Sequence, residues 1–250
     1  MKMRNYEKSL FVSDLHAPYQ DPHCMKIIED FSRWFKPQKV FILGDLVDFY
    51  QLSKFDKNPC RMDNLQDDID SARSELERIR SANPKADIVL FEGNHEARLT
   101  KWLWNHPEVA SLRNLSIQEL LTLHKYDIKW VGGLEVYLYH DFALEHGNIV
   151  RKFSAYTARG MMERNGVSGI SGHTHRMGTH YHTDLGGDFV WVENGCLCDR
   201  HPDYVKNPDW QNGFSVGFFK KANSRFTVDQ ICIPDGKCVY SGREFGRDIA

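Results

Sequence analysis

A chain of 250 residues with 41% hydrophobic and 26% charged residues carries enough apolar material for a sizeable core, which argues against a disordered or low-complexity protein. Its formal net charge of -2 argues against both a protein that coats a polyanion and an acidic tail, while a local basic patch stays open. Twelve histidines against six cysteines weight the chain toward imidazole chemistry, because histidine is the commonest metal ligand and the usual acid or base near neutral pH.

The cysteines (Cys24, Cys60, Cys196, Cys198, Cys232 and Cys238) form no Cys-x-x-Cys pair, so no structural zinc site is expected. Cys196 and Cys198 alternate and would share one strand face as packing residues. Met1 to Glu7 lacks the apolar core of a signal peptide, and no stretch approaches transmembrane length. These features point to a cytoplasmic, reducing setting with free thiols and no membrane partner.

Ser9 to Val12 reads as a first strand running into Ser13-Asp14-Leu15-His16. Met25, Ile28, Phe31 and Phe35 sit on helical spacing over His23 to Phe35, and Pro37 ends that helix. Val40 to Leu43 is a second strand, closed by Gly44-Asp45-Leu46-Val47-Asp48 and a loop over 49–62. Leu65 to Ser81 is helical, and Asn83-Pro84 stops it. Ile88 to Phe91 is a buried strand ending in Gly93-Asn94-His95-Glu96. Ala97 to Leu123 is mostly helical, with a break near His106-Pro107. Strands follow at Ile128 to Val131, Val136 to Tyr139 and Phe142 to Leu144, the last leading to Glu145-His146-Gly147. A helix is expected over Val150 to Asn165, then a strand from Val167 to Ser171 ending in Gly172-His173-Thr174-His175. Further strands lie near 178–182, 189–192, 215–220, 226–231 and 239–240. Strand–helix alternation followed by a strand-rich end implies one α/β domain over 1–250, with a motif core at 8–183 and a strand-rich part at 184–250.

Five polar motifs thus follow apolar runs: Asp14-x-His16, Gly44-Asp45-x-x-Asp48, Gly93-Asn94-His95-Glu96, His146-Gly147 and Gly172-His173-Thr174-His175. Each alone is a common turn. In this order and shared context they resemble the calcineurin-like metallophosphoesterase superfamily, over about two thirds of the chain. Glu193-Asn194-Gly195-Cys196-Leu197-Cys198 and Pro208 to Phe214 more loosely resemble a branch common in bacteriophages, which for a phage-encoded chain would mean the host cytoplasm. The resemblance implies a four-layer α/β fold, two mixed β-sheets packed as a sandwich with helices on the outer faces. It also implies a dinuclear metal site at the sheets' shared end.

By the same resemblance Asp14, His16 and His175 bind one metal, Asp45 bridges, and Asn94, His146 and His173 bind the second. Two divalent ions about 3.5–4 Å apart clamp the attacking and leaving oxygens of a phosphoester. A metal-bridging hydroxide would attack phosphorus. The neutral Asn94 amide ligates without cancelling the positive charge that attracts phosphate. His95 matches the family's catalytic acid and Asp48 its carboxylate partner, although Asp48 also suits a helix N-cap. Mixed imidazole, carboxylate and amide ligation suits Mn²⁺, Fe, Zn²⁺ or Ni²⁺ rather than Mg²⁺ alone, and the family's habit favours Mn²⁺. His140 rivals His146, which is preferred for the glycine after it and its spacing to His173. His180 and His182 would share a strand face, at the pocket mouth or in solvent.

Arg98 and Arg176 are candidate phosphate contacts, each equally suited to a surface or capping role. Arg151, Lys152, Arg159 and Arg164 form a basic face that either tracks phosphates or is simply solvated. Trp102, Trp104, Tyr50 and Phe49 either stack a base or pack. The family's protein phosphatases carry Asp-Arg-Gly where this chain has Asp48-Phe49-Tyr50, which disfavours phosphoproteins. The expected partner is a phosphoester, and three readings stand: a phosphodiesterase or nuclease on DNA or RNA, a phosphomonoesterase on nucleotides or small metabolites, and a scaffold without catalysis. The strand-rich end would extend a sheet, cap the site or form a dimer contact.

Overall fold

Consecutive side chains of a strand point to opposite faces, and the first strands here are apolar on both. The computed structural model, which describes residues 5–246 except 59, 63, 203–206, 221 and 224, shows where each face goes. Residues 1–4 of the N-terminal segment lie outside it. β1 (Tyr6–Val12), β2 (Lys39–Ile42), β3 (Asp87–Phe91) and β4 (Ile128–Val131) run parallel and adjacent. Leu10, Val12, Val40, Ile42, Ile88 and Leu90 pack outward with Met25, Ile28, Phe31 and Phe35 of α1 (Pro22–Phe35) and Ile69, Leu76 and Ile79 of α2 (Leu65–Ala82). Phe11, Phe41, Val89 and Phe91 face the other way.

Those inner residues meet Phe142, Leu144, Ile170 and Val192 of a second sheet. It contains β5 (Tyr137–Tyr139), β6 (Phe142–Glu145), β7 (Gly169–Ser171), β8 (Met177–Asp184) and β9 (Gly187–Asn194), in the order β5-β6-β7-β9-β8. Fully burying one such aromatic contributes roughly 1.5–3 kcal/mol, so this seam outweighs surface ion pairs worth about 0–1 kcal/mol each. The helical region after β3 is α3 (Glu96–Trp104), α4 (Pro107–Ala110) and α5 (Ile117–Leu120), more broken than its apolar spacing suggests because Pro107 restarts the chain and single 3₁₀ turns intervene. α6 (Tyr156–Asn165) covers the outer face of the second sheet through Ala158, Met161 and Met162 against Ala143 and Trp191. Helices, sheet, sheet and helix make the expected four layers.

The strand-rich end extends both sheets. β8 and β9 complete the second sheet, while β10 (Gly213–Lys220) pairs antiparallel with β1 and β11 (Phe226–Cys232) adds the edge. A small hairpin of β12 (Cys238–Tyr240) and β13 (Arg243–Phe245) packs Phe245 on Phe31 of α1.

Caps fix the helix starts. Asp21 accepts the amides of His23 and Cys24 ahead of α1, and Asn64 with Asp67 forms a capping box on α2. The helix expected from Val150 starts instead at Tyr156. Ala155 is left-handed (φ 66°), and its N–H is claimed by the buried Glu193 carboxylate from β9. A long-range hydrogen bond overrides the local pattern there.

Candidate metal centre

The five motif loops leave the C-terminal ends of β1, β2, β3, β6 and β7. Because β1, β2 and β3 are mutually parallel, as are β6 and β7, each group delivers its loops to one end, the usual ligand-binding edge of such sheets. Backbone bonds zip the first two loops together: Asp14 N–H to Gly44 O (3.1 Å), His16 N–H to Asp45 O (2.9 Å) and Ala17 N–H to Leu46 O (2.8 Å). The two sheets are joined at this end by His146 Nδ1 on Leu43 O (2.8 Å) and Ser13 Oγ on Gly195 O (3.0 Å).

Ligating atoms of Asp14, His16, Asp45 and His175 gather in one buried group, and those of Asp45, His146 and His173 in a second. Asp45 belongs to both. Its Oδ2 lies 3.7 Å from His16 Nε2 and 3.3 Å from His146 Nε2. His16 Nε2 and His175 Nε2 are 3.0 Å apart, and His175 Nε2 is 3.4 Å from Asp14 Oδ1. Asn94 Oδ1 joins the second group, 2.9 Å from His146 Nε2. All seven residues implied as ligands therefore meet in one place. The cradle has no spare room: a Cβ on Gly93 would lie 2.2 Å from Asp45 Oδ1, and one on Gly172 2.6 Å from Asp14 Oδ2. Converging imidazole, carboxylate and amide donors fit a divalent metal centre.

Five of the seven hold left-handed backbone, namely Asp14 (φ 55°), His16 (50°), Asp45 (50°), His173 (72°) and His175 (58°). Sparsely populated backbone of this kind costs of order 1–3 kcal/mol per residue and persists where surroundings over-determine it. Here the interloop bonds do so, and His173 N–H is also held by both Asp14 carboxylate oxygens at 3.1 Å.

Burial disfavours charge on Asp14 and Asp45, yet the surrounding imidazoles outweigh it and hold both carboxyls below the usual range. Burial also opposes a proton on His146, but Asp45 wins and pushes that imidazole up to about 10. His173 moves down to about 4 through burial and the neighbouring His146.

Asp48 does more than partner one histidine. Its Oδ1 lies 3.0 Å from Nδ1 of His16 and 3.0 Å from Nδ1 of His95. Burial would raise this carboxyl, but the two imidazoles hold it well below the usual range. It caps no helix: the residue ahead of the short 3₁₀ turn Tyr50–Leu52 is Phe49. His95 Nε2 sits 3.9 Å from Asp45 Oδ2 and 2.8 Å from an Arg98 guanidinium nitrogen. Arginine only donates, so the Arg98 guanidinium is directed at His95 Nε2, and His95 Nδ1 faces the Asp48 carbonyl at 2.7 Å.

Glu96 is the buried anchor beneath these loops. Oε1 accepts the amides of Leu46 and Val47, and Oε2 those of Asp45 and Gly93, at 2.8–3.0 Å. Burial and the Asp45 carboxylate push its carboxyl up to about 7.

A cavity of about 680 Å³ opens over His16, Asp45, Asp48, Asn94, His95 and His173, and Arg98 lines it too. Arg176 is turned elsewhere, with its guanidinium on the Arg151 carbonyl (2.5 Å) and near Asp209 (3.4 Å), so it joins two rim loops instead of lining the cavity. The basic face splits up: Arg164 pairs with Glu145 (2.6 Å), Arg159 with Glu163 (2.7 Å), and Arg151 and Lys152 precede the helix. Phe49 is fully buried, Trp102 stacks on His106, and Trp104 is exposed. Tyr50 lines the cavity. His140 stacks on Phe219 at the β5–β6 turn, while His180 and His182 line a different cavity beside α6. Cys198, expected as a packing residue, and Trp210, expected only as part of the looser bacteriophage resemblance, both reach the site: the Trp210 ring centroid is 4.1 Å from that of His175, and the buried Cys198 Sγ is 3.9 Å from His175 Nδ1. Local spacing does not place either at the site, because both arrive on the chain returning from β9 to β10.

Two curated proteins are similar along most of their length. The Gene 54 protein of Mycobacterium phage D29 is 26% identical over 226 residues, and that of Mycobacterium phage L5 is 27% identical over 227; each alignment covers 84% of this chain and 88% of the relative. Both fit the looser bacteriophage resemblance. Among solved structures, Vacuolar Protein Sorting 29 from Cryptosporidium parvum superposes with a TM-score of 0.52 at 14% identity, covering 97% of this chain and all of the other, a likeness of fold. The family model described as calcineurin-like phosphoesterase matches residues 8–177, and the chain belongs to that family.

Proposed function

We propose that this chain is a dinuclear metal-dependent phosphoester hydrolase, and within that class a phosphodiesterase acting on nucleic acid. The observation that carries the reading is the Asp45 carboxylate shared by two donor groups, with His95 and Arg98 at the edge of the same cavity. When bound, a metal pair supplies the positive charge and activated water that phosphoester hydrolysis needs, and Mn²⁺ is the ion we favour. Asp14, His16, Asp45 and His175 would hold one ion, and Asp45, Asn94, His146 and His173 the other.

The remaining work falls to side chains. With Nε2 released by Arg98, His95 would take up a proton from water, the Asp48 carboxylate on the opposite edge of the ring stabilising the imidazolium, and would pass that proton from Nε2 to the leaving oxygen. Arg98 now covers that Nε2, so the reading requires the guanidinium to shift onto a phosphoryl oxygen as substrate enters. Replacing His95 with alanine should then keep both metals and lose turnover, most severely with poor leaving groups. Phe49 is buried where protein phosphatases present an arginine, which favours a substrate other than a phosphoprotein.

Among the described residues no helix is long and apolar enough to cross a membrane, and the six cysteines are free, which supports a cytoplasmic setting. The deciding experiment compares bis-p-nitrophenyl phosphate with p-nitrophenyl phosphate in Mn²⁺, followed by labelled single- and double-stranded DNA and RNA. Turnover of the monoester alone would sink the nuclease reading and leave a phosphomonoesterase.

A further inference from the structure

The cavity continues past the metal-binding side chains onto Tyr50, Ser53, Phe55, Asp56, Asn58 and Arg61 in the loop after Asp48 and onto Trp210 between β9 and β10. Three aromatic residues line this outer part, and they are not equivalent. The Tyr50 ring is covered by cations, with the Arg61 guanidinium 4.4 Å and Lys57 Nζ 5.0 Å from its centroid, and its hydroxyl accepts the Asn58 amide. Tyr50 is therefore a post that shapes the loop. Phe55 is 80% exposed, and no ring or cation stacks on it among the described residues. Trp210 is half-buried, with its ring inclined at 65° to that of His175.

Single exposed apolar residues are ordinary on a protein surface. A bare phenylalanine and a tryptophan, brought by separate segments to one cavity whose floor is charged, form a different arrangement. They offer apolar π surface next to the place where a phosphate would bind. Asn58, Asp56 and Ser53 in the same lining add amide, carboxylate and hydroxyl groups suited to the edges of a heterocycle. The volume, about 680 Å³, falls within the roughly 300–1,000 Å³ range that holds a small-molecule ligand, enough for one nucleotide and not for a duplex.

We propose that Trp210 and Phe55 form a stacking subsite for the single nucleobase next to the scissile phosphate. The substrate is then a nucleoside phosphodiester with an unstacked base, such as the end of a single strand. This inference rests on the hydrolase reading and specifies its substrate. Base–aromatic stacking tolerates different bases, so little base preference is expected.

The test uses Mn²⁺-loaded protein and two diesters with the same leaving group, thymidine 5′-(p-nitrophenyl phosphate) and methyl p-nitrophenyl phosphate. The wild type should prefer the thymidine ester by at least tenfold in kcat/KM. Phe55→Ala and Trp210→Ala should each lower that preference by about 5- to 150-fold, the range one stacked base supports, and Trp210→Phe should restore most of it. Phe55 is exposed, so its replacement does not threaten folding even if loss of Trp210 disturbs His175. Turnover of the methyl ester without a thymidine preference, or an equal loss on both esters in both variants, overturns the subsite and leaves the hydrolase standing. If neither ester turns over with metal bound, the hydrolase reading fails. Quenching of tryptophan fluorescence by thymidine 5′-monophosphate then decides the subsite: wild-type quenching weakened in Phe55→Ala supports it, and equal or absent quenching overturns it.

Discussion

Replacing Glu96 with glutamine probes how the metal-site loops are held. The carboxylate accepts four backbone N–H groups, two on each oxygen, from the loops after β2 and β3. Glutamine keeps the shape but converts one oxygen to an amino group. In either orientation two N–H groups lose their acceptor and face a donor. Hydrogen bonds to a charged group are worth about 1.5–3 kcal/mol each, so the gross loss is about 3–6 kcal/mol. Part is offset because burial and Asp45 already disfavour the charge, pushing the carboxyl up to about 7. A net loss of about 2–4 kcal/mol at pH 8 follows, out of a total stability of order 5–15 kcal/mol. Urea denaturation followed by circular dichroism should show a midpoint lowered by roughly 1 M with an unchanged slope. Mn²⁺ affinity should fall with it, since two of the four amides belong to Asp45 and Gly93. A wild-type midpoint would mean that those amides find another acceptor and that Glu96 does not anchor the two loops.

Asp48→Asn should weaken metal binding about 10- to 100-fold by loosening His16, and should also depress turnover through His95; calorimetric titration with Mn²⁺ separates the two effects. Gly93→Ala places a Cβ 2.3 Å from the Asp45 amide nitrogen, so this variant should lose metal binding outright, read by metal content after gel filtration. In the metal-free protein His146 is raised from 6.5 to about 10. A raised imidazole contributes stability that is fully present below its unfolded value and is lost as pH climbs through the folded one, so the apo protein should soften between about pH 6.5 and 10. Metal must displace that proton, so affinity should rise over the same window, with proton release visible in buffers of different ionisation enthalpy. Chelation should lower the melting temperature, by the equivalent of about 2.7 kcal/mol where free metal had stood at 100 times its Kd.

The layered fold and the gathering of ligands were legible because each motif directly follows an apolar run. A run buried on both faces must be a sandwiched strand, and the polar residues at its end have only the sheet edge to occupy. Asp14, Asp45, Asn94, His146 and His173 are readable on that ground. What was hidden depends on contacts distant in sequence. Glu193 reaches across from β9 and cuts α6 short by taking the Ala155 amide, against a helical pattern that begins at Val150. Arg176, adjacent to a ligand, turns to the Arg151 carbonyl, whereas Arg98, two residues past Glu96, lands on His95 because α3 starts at Glu96 and carries it back over the loop. Asp48 serves two imidazoles, a sharing that no spacing reveals.

The left-handed backbone at Asp14, His16, Asp45, His173 and His175 sets a rule for redesign. Aspartate, asparagine and histidine enter that region several-fold more readily than other side chains, while branched or bulky ones pay for it. At these five positions the conformational demand and the ligating demand select the same short list, so glutamate or cysteine, though able to bind metal, starts at a disadvantage. Asn94 and His146 are not among the left-handed residues. They are the two ligands that can be exchanged on chemical grounds alone. Selection for a new metal preference, in the laboratory or in a lineage, should change the second group before the first.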